Sequence, residues 1–80
     1  MTVLIVAHMT GCPHCPPVQE LCQKLRDRAP VMMLESQHAL VRDMKVSSFP
    51  TVLLSTPEGL YEYNGQRIER KLRDWVDECA

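Results

Sequence analysis

Two thiols stand three residues apart in Thr10-Gly11-Cys12-Pro13-His14-Cys15. The segment follows an apolar run, Val3 to Ala7, and precedes residues whose apolar positions recur at helical spacing. A Cys-x-x-Cys pair at a strand-to-helix junction can close a small disulfide ring, so the chemistry it implies is thiol–disulfide exchange. Cys12 is expected at the helix N-terminus, where unpaired N–H groups and the positive end of the dipole favour the thiolate, which is the nucleophile. Cys15, one turn further in and more buried, is expected to attack the mixed disulfide formed at Cys12 and release the reduced substrate. Pro13 and His14 lie between the two thiols, and an imidazole near Cys12 would favour the thiolate further. Pro16 and Pro17 follow at once. Neither has an N–H and each disfavours helical geometry in the residue before it, so the regular helix is expected to start nearer Pro16 than Cys12.

Other roles for the cysteines are weaker. A zinc site needs two more ligands at close spacing, and His8, Cys22, His38 and Cys79 supply no second pair. Cys22 and Cys79 fall on apolar helix faces, where burial as small hydrophobes is expected, with a disulfide between the two helices as the alternative. His8 and His38 read as surface residues. Met32 and Met33 read as core. Arg67, Arg70, Lys71 and Arg73 read as the solvated face of the last helix, with recognition of an acidic partner as the sharper alternative.

The chain has 80 residues, enough for one domain, and a length at which the stability margin is small. Its net charge of −1 gives no electrostatic case for nucleic acid or an anionic membrane. Phe49, Tyr61, Tyr63 and Trp75 are the only aromatics, too few for a platform that stacks single strands. Four cysteines could staple a secreted scaffold. The apolar runs, however, are long enough to build a core without staples. Met1-Thr2 leads straight into an apolar run with no basic segment before it, so a reducing, cytoplasmic setting is expected.

The elements that must position the thiols follow from periodicity. Val3 to Ala7 reads as a strand buried on both faces. Val18, Leu21, Cys22 and Leu25 mark a helix ending near Arg28, ahead of Pro30. Val31 to Leu34 is a second buried strand. His38 to Met44 is a short helix with Leu40, Val41 and Met44 on one face and Ser36 as its N-cap. Thr51 to Leu54 is a third strand, Thr56-Pro57-Glu58-Gly59 a turn, and Leu60 to Tyr63 a fourth, half-exposed strand. Ile68, Leu72, Trp75, Val76 and Cys79 mark the inner face of a last helix. The order is β-α-β-α-β-β-α, an α/β chain whose first β-α-β is parallel and whose last two strands form a hairpin.

Three segments carry a resemblance. Cys12-Pro13-His14-Cys15 after an apolar strand, Phe49-Pro50-Thr51 before one, and Tyr63-Asn64-Gly65-Gln66-Arg67 before the last helix resemble the thioredoxin superfamily over nearly the whole chain. The size and the β-first start are similar to glutaredoxin and to the glutaredoxin-like units of protein disulfide oxidoreductases. The Pro-His dipeptide is similar to that of the bacterial periplasmic disulfide oxidant. Phe-Pro-Thr and Tyr-x-Gly-x-Arg are similar to protein disulfide isomerase domains. The resemblance implies a minimal thioredoxin fold with a four-stranded mixed sheet. It also implies a cis Phe49–Pro50 bond opposite the dithiol, and a substrate groove formed by Phe49, Pro50 and Thr51.

The departures are specific. Val6 stands where thioredoxin and isomerase domains place a buried acid that moves protons from the second cysteine. Asn64-Gly65-Gln66-Arg67 stands in place of the Gly-Gly and acidic pair of true glutaredoxins, so glutathione is not the expected dedicated partner. The combined expectation is a monomeric thiol–disulfide oxidoreductase acting on protein thiols and disulfides, served by an upstream reductase or oxidant. It needs no cofactor beyond the Cys12–Cys15 pair. The competing expectation is a metal-binding or adaptor module on the same fold.

Overall fold

The computed structural model describes residues 1–80. The elements are β1 (Val3–His8), α1 (Cys15–Gln23), β2 (Val31–Glu35), α2 (Ala39–Asp43), β3 (Thr51–Thr56), β4 (Gly59–Glu62) and α3 (Glu69–Cys79). The strands form one mixed sheet in the order β2-β1-β3-β4. β1 runs parallel to β2 and antiparallel to β3, and β4 returns antiparallel to β3.

Side chains alternate across a strand, so a central strand with both faces covered must be apolar throughout. In β1, Leu4 and Val6 point to one face, where they join Val52 and Leu54 of β3, Val18 and Cys22 of α1, Leu25, and Leu72 and Val76 of α3. Ile5 and Ala7 point to the other face and meet Leu34, Leu53 and Val41 of α2. Two helices therefore cover one face and a single short helix the other. No helix is long and apolar enough to cross a membrane.

Several expected boundaries move. α1 stops at Gln23 rather than near Arg28. Beyond it the chain winds through three-residue turns, Leu25 N–H to Cys22 O at 3.0 Å and Arg28 N–H to Leu25 O at 2.9 Å. These turns still bury Leu25 completely, so the apolar period persists after the helix has ended. The N-cap of α2 is His38, not Ser36: its Nδ1 accepts from the Leu40 N–H at 3.0 Å. α2 closes with Lys45 at φ 58°, Lys45 N–H bonding Arg42 O and Val46 N–H bonding Val41 O. That is the left-handed termination usually given to glycine. β4 ends at Glu62, although the Tyr63 N–H still bonds Val52 O at 2.9 Å.

The second face is less well covered than the sequence suggests. Met32, expected in the core, is 40% exposed, and Leu40, expected on the inner side of α2, is 46% exposed. The reason is geometric: α2 has five residues, about 7.5 Å of helix, and β2 lies at the sheet edge. Met33 faces the better-covered side and packs against its core. Ile68, expected inside α3, is instead its exposed N-cap residue.

Candidate functional site

β1 and β3 build the site. Their register sets Ala7 beside Thr51, so the loop leaving β1 and the loop entering β3 emerge side by side. The first loop turns at Gly11, whose φ of +85° is a left-handed value that glycine adopts without strain. Cys12 N–H then bonds Met9 O at 3.2 Å and Cys15 N–H bonds Cys12 O at 3.3 Å, which curls the two cysteines into one turn. The Thr10 hydroxyl fastens the same loop by donating to Glu35 Oε1 at 2.8 Å.

α1 begins at Cys15, with His14 as its N-cap residue. Pro16 falls in the first turn, where a missing N–H leaves no helical bond unmade. Cys12 therefore sits ahead of the helix, not in its first turn. Cys12 is half-buried, whereas Cys15 is 2% exposed.

The two thiols are driven in opposite directions. The Cys15 thiol, as a hydrogen-bond donor, is the main reason that the Cys12 pKa lies below its ordinary value. The backbone amides of His14 and Cys15 and the charge of Arg67 add to the lowering, against a partial desolvation. Burial pushes the Cys15 thiol up, and the neighbouring Cys12 raises it further; the Met9 backbone and Arg67 oppose this. No carboxylate is among the groups acting on either thiol. Glu35 is bound to Thr10, and Glu62 is exposed on β4. Val6 is fully buried on the α1 side of the sheet.

His14 differs from its expected part. It acts on Cys12 through its backbone amide, and its exposed side chain makes no capping bond. Pro13 is exposed between the cysteines. On the facing loop, the Phe49–Pro50 peptide bond is cis and Pro50 is buried. The Phe49 carbonyl oxygen lies 3.9 Å from Cys12 Sγ. Phe49 packs its ring against the α2-side core. Thr51 is buried at the start of β3, and its hydroxyl donates to Ser48 O at 2.6 Å, closing the loop.

Arg67 is the residue that sequence reasoning misassigned. It does not belong to the α3 charge run, because α3 starts at Glu69. It lies in the loop after β4, where Nη2 donates to the Pro50 carbonyl at 3.4 Å. With His14, Pro17, Val18 and Leu21 it lines a cleft of about 170 Å³. The available signal was the Tyr-x-Gly-x-Arg spacing. The Tyr63 ring packs on Trp75 at 5.1 Å between centroids, and the Tyr63 hydroxyl donates to Gln66 O, which pins the loop that presents Arg67.

The other two cysteines lie apart from this site. Cys22 is buried in the α1–α3 core, and burial pushes its thiol up to about 12. Cys79 packs half-buried against the same core, and both are free thiols. No three His, Cys, Asp or Glu side chains converge on a point where a metal ion could be held.

No protein-family model matches the chain, and comparison with curated proteins finds no match by sequence. Solved structures do match. The J-Trx1 fragment of ERdj5 superposes with a TM-score of 0.80 at 19% identity, over 98% of this chain and 42% of that one. The first thioredoxin domain of mouse protein disulfide-isomerase A4 gives 0.71 at 24% identity, over 96% and 61%. The thioredoxin Deadhead of Drosophila melanogaster gives 0.71 at 21% identity, over 99% and 81%. The chain thus spans less than half of the ERdj5 fragment it resembles. What is shared across these similarities is the backbone architecture: this chain is a small α/β protein of the thioredoxin fold.

Proposed function

We propose that the protein is a thiol–disulfide oxidoreductase acting on protein substrates through Cys12 and Cys15. The observation that carries this reading is the pairing of a half-buried Cys12 with a buried Cys15 one turn away, beside the Phe49–Pro50 loop. In the reductive direction the Cys12 thiolate attacks one sulfur of a substrate disulfide. The substrate S–S bond breaks, a mixed disulfide forms at Cys12, and the other substrate sulfur leaves with the electron pair and takes up a proton. Cys15 then loses its proton and attacks Cys12 Sγ. The mixed disulfide breaks, the second substrate thiol departs, and the dithiol has given up two electrons to become the Cys12–Cys15 disulfide. An upstream dithiol reductant restores it, and with an oxidising partner the same steps run in reverse.

Phe49 and Thr51 frame the groove in which the substrate backbone lies, with Pro50 as its floor. The chain works as a monomer, with no cofactor beyond its dithiol, in a reducing compartment such as the cytoplasm. Related couples span about −270 to about −120 mV, so the reduction potential assigns the direction. The test is insulin reduction by dithiothreitol. The wild-type protein should accelerate it, Cys12→Ser should abolish the acceleration, and Cys15→Ser should trap a mixed disulfide at Cys12. Equal rates for wild type and Cys12→Ser would remove the proposal.

A further inference from the structure

The cleft beside the dithiol has a chemistry that exchange itself does not require. Its walls are His14 at the head of α1, Pro17, Val18 and Leu21 along one side of that helix, and Arg67 from the loop before α3. At about 170 Å³ it is below the roughly 300–1,000 Å³ of pockets that hold organic ligands, and it suits one side chain. No carboxylate lines it. Arg73 is matched to Asp27 and Glu69, and Arg28 to Asp27 and Asp77, whereas Arg67 makes no ion pair. Its one bond, to the Pro50 carbonyl at 3.4 Å, is long and leaves most of the guanidinium donors unused.

We infer that this cleft is a subsite for a carboxylate side chain of the substrate polypeptide, bound by the Arg67 guanidinium with the His14 imidazole beside it, so that cysteines near an Asp or Glu are preferred. The inference rests on the proposed exchange activity and names its substrate class. The path to the chemistry is short. Arg67 bonds the Pro50 carbonyl, and the preceding carbonyl, of Phe49, faces Cys12 Sγ. A segment lying across the Phe49–Pro50 loop with its sulfur at Cys12 therefore has Arg67 within a side chain's reach. The guanidinium fork suits a carboxylate, and the apolar wall of Pro17, Val18 and Leu21 takes the methylenes behind it. The charge of Arg67 also reaches both thiols, lowering each, so a bound carboxylate would partly neutralise a cation that supports the Cys12 thiolate.

The test uses short peptides carrying one cysteine as a mixed disulfide with thionitrobenzoate, in pairs that differ only by Asp or Asn at one of the three positions after the cysteine. The Cys12 thiolate attacks the peptide sulfur, the S–S bond breaks, and thionitrobenzoate leaves as a coloured thiolate. Exposed ion pairs contribute up to about 1 kcal/mol, a factor of about five. At least one pair should therefore show a roughly three- to fivefold faster second-order rate for Asp at low salt, shrinking as ionic strength rises. In Arg67→Gln the ratio should fall to about one, whatever happens to the absolute rates, and Arg67→Lys should restore part of it. Equal rates within every pair, or a ratio unchanged in Arg67→Gln, overturn the subsite. Failure to exceed free cysteine with any peptide overturns the exchange activity instead. Glutathione thionitrobenzoate and its diethyl ester form a separate arm, and a preference confined to that arm overturns the polypeptide as the ligand.

Discussion

The Sγ of Cys12 lies 3.9 Å from the carbonyl oxygen of Phe49, although 37 residues separate them. The contact puts the nucleophile against the backbone of the facing loop. An attacking thiolate would leave this carbonyl oxygen, which can only accept, without its weak donor. Support for the thiolate comes from other groups: the Cys15 thiol first, then the amides of His14 and Cys15, then Arg67.

The order of those contributions can be tested by thiolate absorbance. Wild-type Cys12 should titrate below the free-thiol value of about 8.5. Cys15→Ala removes the largest contribution and should raise the Cys12 pKa most. His14→Ala keeps the backbone amide and should raise it less than Cys15→Ala does. A larger rise in His14→Ala would return the imidazole to the tuning part that the sequence assigned it.

The resolving step should depend on pH. Burial holds the Cys15 thiol above its ordinary value, and no carboxylate is among the groups acting on it. The fraction ionised near neutrality is therefore small, and decay of the mixed disulfide should quicken as pH rises from 7 to 9. Stopped-flow should show the mixed disulfide accumulating at pH 7. General acid–base assistance is typically worth about 10²–10⁴-fold, so Val6→Asp should speed resolution and flatten the profile, at a cost in stability from burying the carboxyl. A pH-independent decay in the wild type would show that Cys15 already has a proton acceptor.

Cys22 should make the protein sensitive to alkali. Its thiol ionises near the free-thiol value of about 8.5 when unfolded and is pushed up to about 12 when folded. Well below about pH 8.5 both states hold the proton and the group contributes no pH dependence. Between about 8.5 and about 12 the unfolded chain has lost a proton that the folded chain keeps, so stability falls as pH rises, by up to about 1.4 kcal/mol per pH unit. Urea unfolding of wild type and Cys22→Ala across this window should give a shallower slope for the variant. Parallel slopes would mean that Cys22 is not the group responsible.

Gly65 lies against the Tyr63 side chain in the loop that carries Arg67. A Cβ there would meet the Tyr63 hydroxyl oxygen at 2.8 Å and ring carbons at 2.9 and 3.0 Å. Trp75 packs against that ring, so the ring has little room to yield. Gly65→Ala should cost about 1–3 kcal/mol by overpacking and, by moving the loop, raise the Cys12 pKa in the manner of Arg67→Gln. A variant that melts with the wild type and leaves the thiol unchanged would show that the loop accommodates the methyl group.

What the chain determined by itself is local. Cys12 and Cys15 stand three residues apart, a spacing that brings them together wherever the chain turns. Val3 to Ala7 had to become a covered central strand because neither of its alternating faces carries a polar residue. Pro16 kept Cys12 out of the regular helix because it has no N–H to bond the Cys12 carbonyl four residues back. Periodicity also carried the order of the elements, since apolar spacings of two and of 3.6 residues do not substitute for one another. The tertiary structure decided the rest. Arg67 bonds a carbonyl 17 residues away: the Tyr-x-Gly-x-Arg spacing marks the loop that Tyr63 and Trp75 hold, but not the contact the loop makes. His14 contributes through its amide because the chain's path, not its residue type, aims that N–H at Cys12. Met32 and Leu40 have core composition but lie partly open, because burial depends on the length of the covering element, and α2 is too short to reach across the sheet.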